Sequence, residues 1–125
     1  MATISRFSGL PSDDNTSRVI TNAYLNPDYA ATIDLIPFAA KTVVKVAALT
    51  GALSITIGVG TSSTPPYVGD TIEFLFAASG ADRIVTFSTG FSKSGTLTVV
   101  NAKYGSASFM FDGVSWVETG RALTA

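Results

Sequence analysis

Hydrophobic and polar residues alternate in short runs from Ala31 to the end of the chain. In the clearest run, Leu53-Ser54-Ile55-Thr56-Ile57, each apolar side chain is separated from the next by a hydroxyl side chain. Successive side chains of a strand point to opposite faces, so a period of two predicts half-buried β-strands. Residues typical of turns separate eight such runs, at 32–36, 43–49, 53–57, 72–76, 84–87, 96–100, 106–111 and 114–118.

Many short strands separated by turns are typical of sandwiches and jelly rolls. We therefore predict an all-β fold, a single antiparallel β-sandwich of about eight strands with a jelly-roll-like arrangement. No segment shows a capped helical period of useful length. The sandwich domain is predicted to occupy residues 31–125.

Residues 1–30 lack this alternation and are predicted to form an extended N-terminal arm. Their apolar residues stand singly among Pro, Asp and Asn residues, and no helical or alternating period connects them. A purely solvated tail would not need these apolar side chains, although a disordered tail is the alternative interpretation. We predict one short strand near 18–21 and docking of the arm on a partner surface through Phe7, Leu10, Val19, Ile20 and Tyr24.

Asp112-Gly113 lies between the strand-like runs 106–111 and 114–118. An Asp-Gly pair between two strands is a strong signal for a two-residue hairpin, because both positions of a type I′ turn need positive φ. The pattern therefore predicts a tight turn with positive φ at both residues.

Aromatic residues mark the predicted core. Phe residues inside strand-like runs are best explained as core side chains, namely Phe74, Phe76, Phe87, Phe109 and Phe111. The single tryptophan, Trp116, is predicted to be at least partly buried beside Phe109 or Phe111.

Charge is sparse and evenly distributed. Charged residues make up 14% of the chain, against about 25% in typical domains, and the net charge is −1. The eight Lys and Arg residues are scattered, with no two adjacent. Because nucleic-acid-binding proteins cluster such residues, we expect no nucleic-acid partner. The longest weakly polar stretch, 36–57, contains Lys41, Lys45 and Gly51, so we expect no membrane span or membrane partner.

The chain contains no His and no Cys, which excludes disulfides and imidazole or thiol chemistry. Carboxylates are then the candidates for acid–base work. Alternation turns Glu73 away from the apolar residues of its strand, and Asp70 and Asp82 lie at strand ends, where turn capping is the ordinary role. We therefore predict no catalytic residue, no metal site and no cofactor, and we do not expect an enzyme. Tyr67 and Tyr104, placed in loops by the pattern, are the candidates for contact with a glycan.

The segment from Gly69 to Arg121 carries recognisable motifs. They are Gly69-Asp70-Thr71-Ile72-Glu73-Phe74, Asp82-Arg83-Ile84-Val85-Thr86-Phe87 and Gly95-Thr96-Leu97-Thr98-Val99, followed by Phe109-Met110-Phe111-Asp112-Gly113-Val114-Ser115-Trp116 and a final Arg121. This segment resembles accessory structural proteins of tailed-bacteriophage virions, such as capsid decoration proteins and head- or tail-fibre proteins. Many of those chains end in an aromatic–x–aromatic–Asp-Gly–x–x–Trp hairpin close to a final Arg. The resemblance implies a β-sandwich, very often in a trimer, with no cofactor.

The leading interpretation is a virion structural protein that decorates or stabilises a phage capsid as an oligomer, with a homotrimer expected. Its partners would be further copies of itself and the major capsid protein or another virion protein. Its location would be the virion, assembled in the host cytoplasm. The alternative is a carbohydrate- or receptor-binding module of a phage fibre, which would contact glycans through aromatic residues in loops.

Overall fold

The computed structural model describes residues 22–37, 39–58, 66–92 and 95–123. These residues form ten strands and no helix, which confirms the all-β prediction. No helix that could cross a bilayer occurs among them. The strands are β1 (Asn22–Leu25), β2 (Thr32–Leu35), β3 (Lys41–Leu49), β4 (Leu53–Ile57), β5 (Thr71–Ala78), β6 (Arg83–Phe87), β7 (Phe91–Ser92), β8 (Thr96–Val99), β9 (Tyr104–Phe111) and β10 (Trp116–Leu123).

The strands form a six-stranded sheet in the order β1-β3-β5-β9-β10-β7 and a four-stranded sheet in the order β2-β4-β6-β8. From β1 to β9 the chain crosses to the other sheet at every connection. The chain therefore returns to the same sheet with every second strand. As a result β1, β3 and β5 run parallel, as do β2, β4 and β6. Antiparallel pairing follows where β8 lies against β6, β9 against β5 and β10 against β9.

This topology corrects the predicted antiparallel arrangement of about eight strands. The described residues contain ten strands, and the pairs β1–β3, β3–β5, β2–β4, β4–β6 and β7–β10 are parallel. A jelly roll is built from antiparallel neighbours, so this finer prediction is not confirmed. Alternation reports which face a side chain occupies and is the same in parallel and antiparallel pairs. Strand direction is instead decided by the connections, which here cross between the sheets.

The inner faces of the two sheets share one hydrophobic core. The rings of Phe74, in the larger sheet, and Phe87, in the smaller sheet, have centroids 5.7 Å apart. Phe109 packs against both rings at 5.7 and 4.9 Å. Burying one such side chain contributes about 1.5–3 kcal/mol. The core placement of Phe74, Phe76, Phe87 and Phe109 is confirmed, and Phe111 is half-buried at the edge of the cluster.

β1 lies inside the predicted arm and pairs with β3 as the terminal strand of the larger sheet. Leu25 and Tyr29 pack against the core, and the Tyr29 hydroxyl donates a hydrogen bond of 2.7 Å to the carbonyl oxygen of Ala52. The strand expected at 18–21 lies outside the described residues. So do four of the predicted anchors, Phe7, Leu10, Val19 and Ile20, and the docking role of these anchors stays a prediction.

Thr42 is a buried hydroxyl residue on the inner face of β3, and its Oγ1 has no hydrogen-bond partner in the described structure. A buried polar group left unsatisfied costs about 1–3 kcal/mol. Valine has nearly the same shape, so Thr42→Val removes this cost without opening a cavity. We expect the free energy of unfolding to rise by about 1 kcal/mol in urea denaturation.

The matched control is Thr98→Val on the exposed face of β8, which should change stability by less than about 0.5 kcal/mol. A clear loss of stability in Thr42→Val would mean that the hydroxyl makes a hydrogen bond in solution.

Candidate interaction surface

The carboxylates considered for chemistry lie near opposite ends of β5 and bind backbone groups. Asp70 Oδ2 accepts a hydrogen bond of 2.9 Å from the Tyr67 N–H, and Asp82 Oδ1 accepts one of 2.9 Å from the Asn101 N–H. The first contact confirms the predicted turn-capping role for Asp70, whereas Asp82 binds a segment nineteen residues away. Glu73 is exposed on the outer face of β5, as alternation predicts. Within the described ranges, no group of three or more acidic side chains is arranged to hold a metal ion.

The two tyrosines considered for glycan contact lie far apart. Tyr67 precedes the first residue of β5, whereas Tyr104 begins β9 and pairs with Ala77 near the last residue of β5. A strand of this length spans roughly 20 Å or more. The structure therefore does not bring these rings together into one aromatic platform, and Tyr104 belongs to a strand instead of a loop.

β9 and β10 form the predicted hairpin, but with a connection of four residues. Phe111 pairs with Trp116, so residues 112–115 join the two strands. Of the four connecting residues, Gly113 alone has a positive φ, of 105°. The predicted type I′ turn, with positive φ at Asp112 as well, is therefore wrong. The burial of Trp116 is confirmed, with its ring centroid 5.2 Å from that of Phe111.

Asp112 explains why the longer connection forms. Its Oδ1 accepts hydrogen bonds of 2.8 Å from the backbone N–H groups of Ser115 and Val114, and its own N–H donates to the Ser115 carbonyl oxygen at 3.1 Å. An Asp side chain that accepts from the backbone in this way closes the turn by its own hydrogen bonds. The connection therefore does not need a second residue with positive φ. The N–H groups of Ser115 and Val114 lower the pKa of Asp112, because they bind its charged form.

We expect the hairpin connection to loosen in acid. A lowered pKa in the folded state means that the carboxylate stabilises the fold at every pH above its unfolded value of about 3.9. That contribution disappears as the pH falls through the lower, folded value. Amide hydrogen exchange at Val114 and Ser115 should therefore accelerate in acid beyond the intrinsic pH dependence of exchange.

Asp112→Asn is the control, because it keeps an acceptor oxygen but does not titrate. The same acceleration in this variant would contradict the assignment to Asp112.

Arg121 connects the two sheets. Its Nη1 donates a hydrogen bond of 2.7 Å to the Thr96 carbonyl oxygen, and its Nη2 donates one of 2.8 Å to Glu118 Oε1. The hydrogen bond with Glu118 raises the pKa of Arg121. Gly95 O accepts from Phe87 N across the β6–β8 pair, so the carbonyl of the next residue, Thr96, points to the free edge of β8. The Arg121 guanidinium therefore covers an edge of the smaller sheet.

The outer face of the six-stranded sheet is broad and weakly charged. Strand register places small residues on this face of β9 and β10, namely Ser106, Ser108, Gly120 and Ala122. The same face carries exposed apolar side chains, namely Tyr24, Tyr104, Met110 and Val117. Its charged side chains in the described part of the chain are Lys41, Lys45 and Glu73. Depletion of charge with exposed aromatic and Met side chains is typical of protein contact surfaces.

The outer face of the four-stranded sheet is different in chemistry. Thr32, Ser54, Thr86 and Thr96 lie in one row across its four strands. Hydroxyl groups of this kind are readily hydrated, so this face is the weaker candidate for a dry contact. The outer face of the six-stranded sheet is therefore the candidate interaction surface.

Tyr24 is the one predicted anchor among the described residues, and its side chain is 61% exposed on this face. It lines an open depression of about 400 Å³ together with Asn22 and Ala23 of β1 and Lys41 and Val43 of β3. Sequence reasoning missed these four neighbours. The alternation of residues 41–45 places Lys41 and Val43 on one face, but only the pairing of β1 with β3 brings Tyr24 beside them.

No known protein family and no curated protein matches this sequence.

Proposed function

We propose that the chain is a structural protein of a virion that decorates or stabilises a phage capsid as an oligomer. The observation that carries the assembly proposal is the outer face of the six-stranded sheet, with its small residues on β9 and β10, its exposed apolar side chains and its low charge. The proposed location in the virion is supported by the resemblance of the segment from Gly69 to Arg121 to phage accessory proteins.

The mechanism is structural. The shared core holds each subunit rigid, so the outer face can be presented without rearrangement. Small side chains such as Ser108 and Gly120 allow a neighbouring backbone to approach closely, while Met110 and Val117 supply apolar area. We propose a homotrimer as the assembled unit, with the N-terminal arm making further contact with the shell.

Light scattering of the purified chain tests the assembly proposal. We expect a mass about three times that of the 12.9 kDa chain at micromolar concentration. Met110→Glu places a charge in the proposed contact, where an unpaired buried charge is costly, and should shift the protein to monomers that keep the circular dichroism spectrum of the wild-type chain.

Thr98→Glu is the matched control on the outer face of the other sheet, and it should leave the mass unchanged. A wild-type chain that is monomeric at this concentration would contradict the proposal.

A second candidate is a carbohydrate- or receptor-binding module of a phage fibre. It is favoured by the ring of Tyr104, which is 50% exposed on the outer face of the six-stranded sheet. Titration with host polysaccharide separates the two proposals. Saturable binding that is lost in Tyr104→Ala would support the fibre module, whereas no binding would remove it.

A further inference from the structure

The two sheets have four edges, and three of them carry a feature that hinders pairing with another chain. Unpaired N–H and C=O groups on an edge strand form a template for an added strand unless a charge, a covering group or a short length prevents it. Arg121 covers the β8 edge at Thr96, and β2 carries Asp34. In the described part of the chain β7 pairs with Trp116 and Val117 alone, so β10 forms the rest of that edge, where Glu118 and Arg121 supply charge and the register shifts after Glu118. The fourth edge, β1, has none of the charges or covering contacts found at β8 and β2, as far as residues 22–37, 39–58, 66–92 and 95–123 are concerned.

β1 consists of Asn22, Ala23, Tyr24 and Leu25, which include no charged residue and no proline. It pairs with β3 in continuous register, so no bulge bends it away from a neighbour. The depression of about 400 Å³ lies at this strand, because three of its five lining residues belong to β1. Among the described residues no strand pairs with the outer edge of β1, and this edge lies next to a space that can accept side chains from a new strand.

We infer that β1 accepts an extended segment of a partner protein as an additional strand, with an acidic side chain of that segment placed beside Lys41. In strand addition, backbone hydrogen bonds supply affinity and neighbouring pockets supply specificity. Lys41 is the charged residue that lines the depression, and β1 contains no acidic residue to neutralise it. The complementary partner residue is therefore an aspartate or glutamate, next to an apolar residue that fills the depression.

A partner segment fits this edge better than a second copy of the chain. In a two-fold pair of β1 edges the same surface meets itself. Lys41 would then gain no opposite charge, and each depression would face an equivalent depression. The inference rests on the proposed function in one respect, that the partner is a protein; it does not depend on whether that protein belongs to a capsid.

The test is a nuclear magnetic resonance titration of the full chain with a defined peptide. The probe is a capped peptide of about eight residues in which valine alternates with glutamate and tyrosine. We expect saturable binding with the largest backbone amide shifts in residues 22–25. Two further peptides carry backbone N-methyl groups, one at the odd-numbered positions and the other at the even-numbered positions. One of these two patterns should abolish binding and the other should leave it intact, because only alternate residues of an added strand bond to β1.

Charge variants test the role of Lys41. A peptide with lysine in place of glutamate should bind the wild-type chain about two- to fivefold more weakly, the range for an exposed ion pair. Lys41→Glu should reverse this preference. Tyr24→Lys should weaken every peptide, whereas Thr32→Lys, on the edge strand of the other sheet, should have no effect.

Several outcomes would overturn the inference. These are shifts confined to residues outside β1 and the depression beside it, equal binding of both N-methylated peptides, or a charge preference that Lys41→Glu leaves unchanged. Concentration-dependent shifts in these residues without peptide would mean that a second copy occupies the edge. Peptide binding that appears only after deletion of residues 1–21 would mean that the chain's own segment occupies it. The light-scattering mass of the chain reports on the proposed oligomer separately from all of these results.

Discussion

Gly90→Ala is expected to cost about 2–5 kcal/mol, a large part of the stability of a typical domain. Gly90 has a φ of 95°, a conformation that residues with a Cβ rarely adopt. A Cβ at this position would lie 2.6 Å from Ile57 Cβ and 3.1 Å from Ile57 Cγ1. The neighbouring β-branched side chain cannot rotate away from a contact at its own Cβ, so backbone strain and overpacking add. Thermal unfolding should show a fall in melting temperature of more than about 10 °C.

Two other glycines separate these causes. Gly95 has a φ of 65° with nothing within 4 Å of its Cβ position, so Gly95→Ala should show the strain alone, at about 1 kcal/mol. Gly120 has open space and no positive φ, and Gly120→Ala should be nearly neutral. If Gly90→Ala were no worse than Gly95→Ala, the contact with Ile57 would be absent in solution.

Trp116→Ala is expected to cost about 3–5 kcal/mol, the range for removal of a large buried aromatic side chain. The side chain is 1% exposed, packs against the ring of Phe111 and lies at the first residue of β10. The backbone N–H of Trp116 donates to the Gly90 carbonyl oxygen at 2.9 Å, and the alanine variant keeps this hydrogen bond. The expected loss therefore comes from the side chain. Circular dichroism during urea denaturation measures the loss.

Val114→Ala is the control in the same hairpin, because this side chain is 88% exposed; it should change stability by less than about 0.5 kcal/mol. The single tryptophan also provides a direct check in the wild-type chain. Its emission should be blue-shifted in the native state and should move to the red on unfolding. A native emission maximum like that of tryptophan in water would contradict the buried position.

Local chemistry made part of the fold predictable from the sequence. Alternation from Leu53 to Ile57 assigned the inner and outer faces of β4 correctly, and the position of Trp116 after an Asp-Gly pair indicated a buried residue in a hairpin. The direction of the strands was not predictable in this way, because it depends on crossings between sheets that leave no period in the sequence. The turn type at Asp112 was also missed, since its side chain supplies hydrogen bonds that the Asp-Gly pattern assigns to backbone geometry.

The candidate site depends still more on contacts between distant segments. Tyr24 was identified as an apolar residue without an evident local role, and it is exposed. Lys41 and Val43 lie beside it because β1, from the predicted arm, joins β3 and β5 as a third parallel strand. The short segment from Asn22 to Leu25 shows too few residues to define a period, so its strand conformation follows from pairing and not from its own sequence.

Cryo-electron microscopy of purified phage particles that carry this protein tests the central proposal most directly. Density for the two-sheet domain is expected at regularly repeated positions on the outer surface of the shell. Three copies should meet at each position through the outer faces of their six-stranded sheets. A shell surface without this density, or copies that meet through the hydroxyl-covered face of the four-stranded sheet, would contradict it.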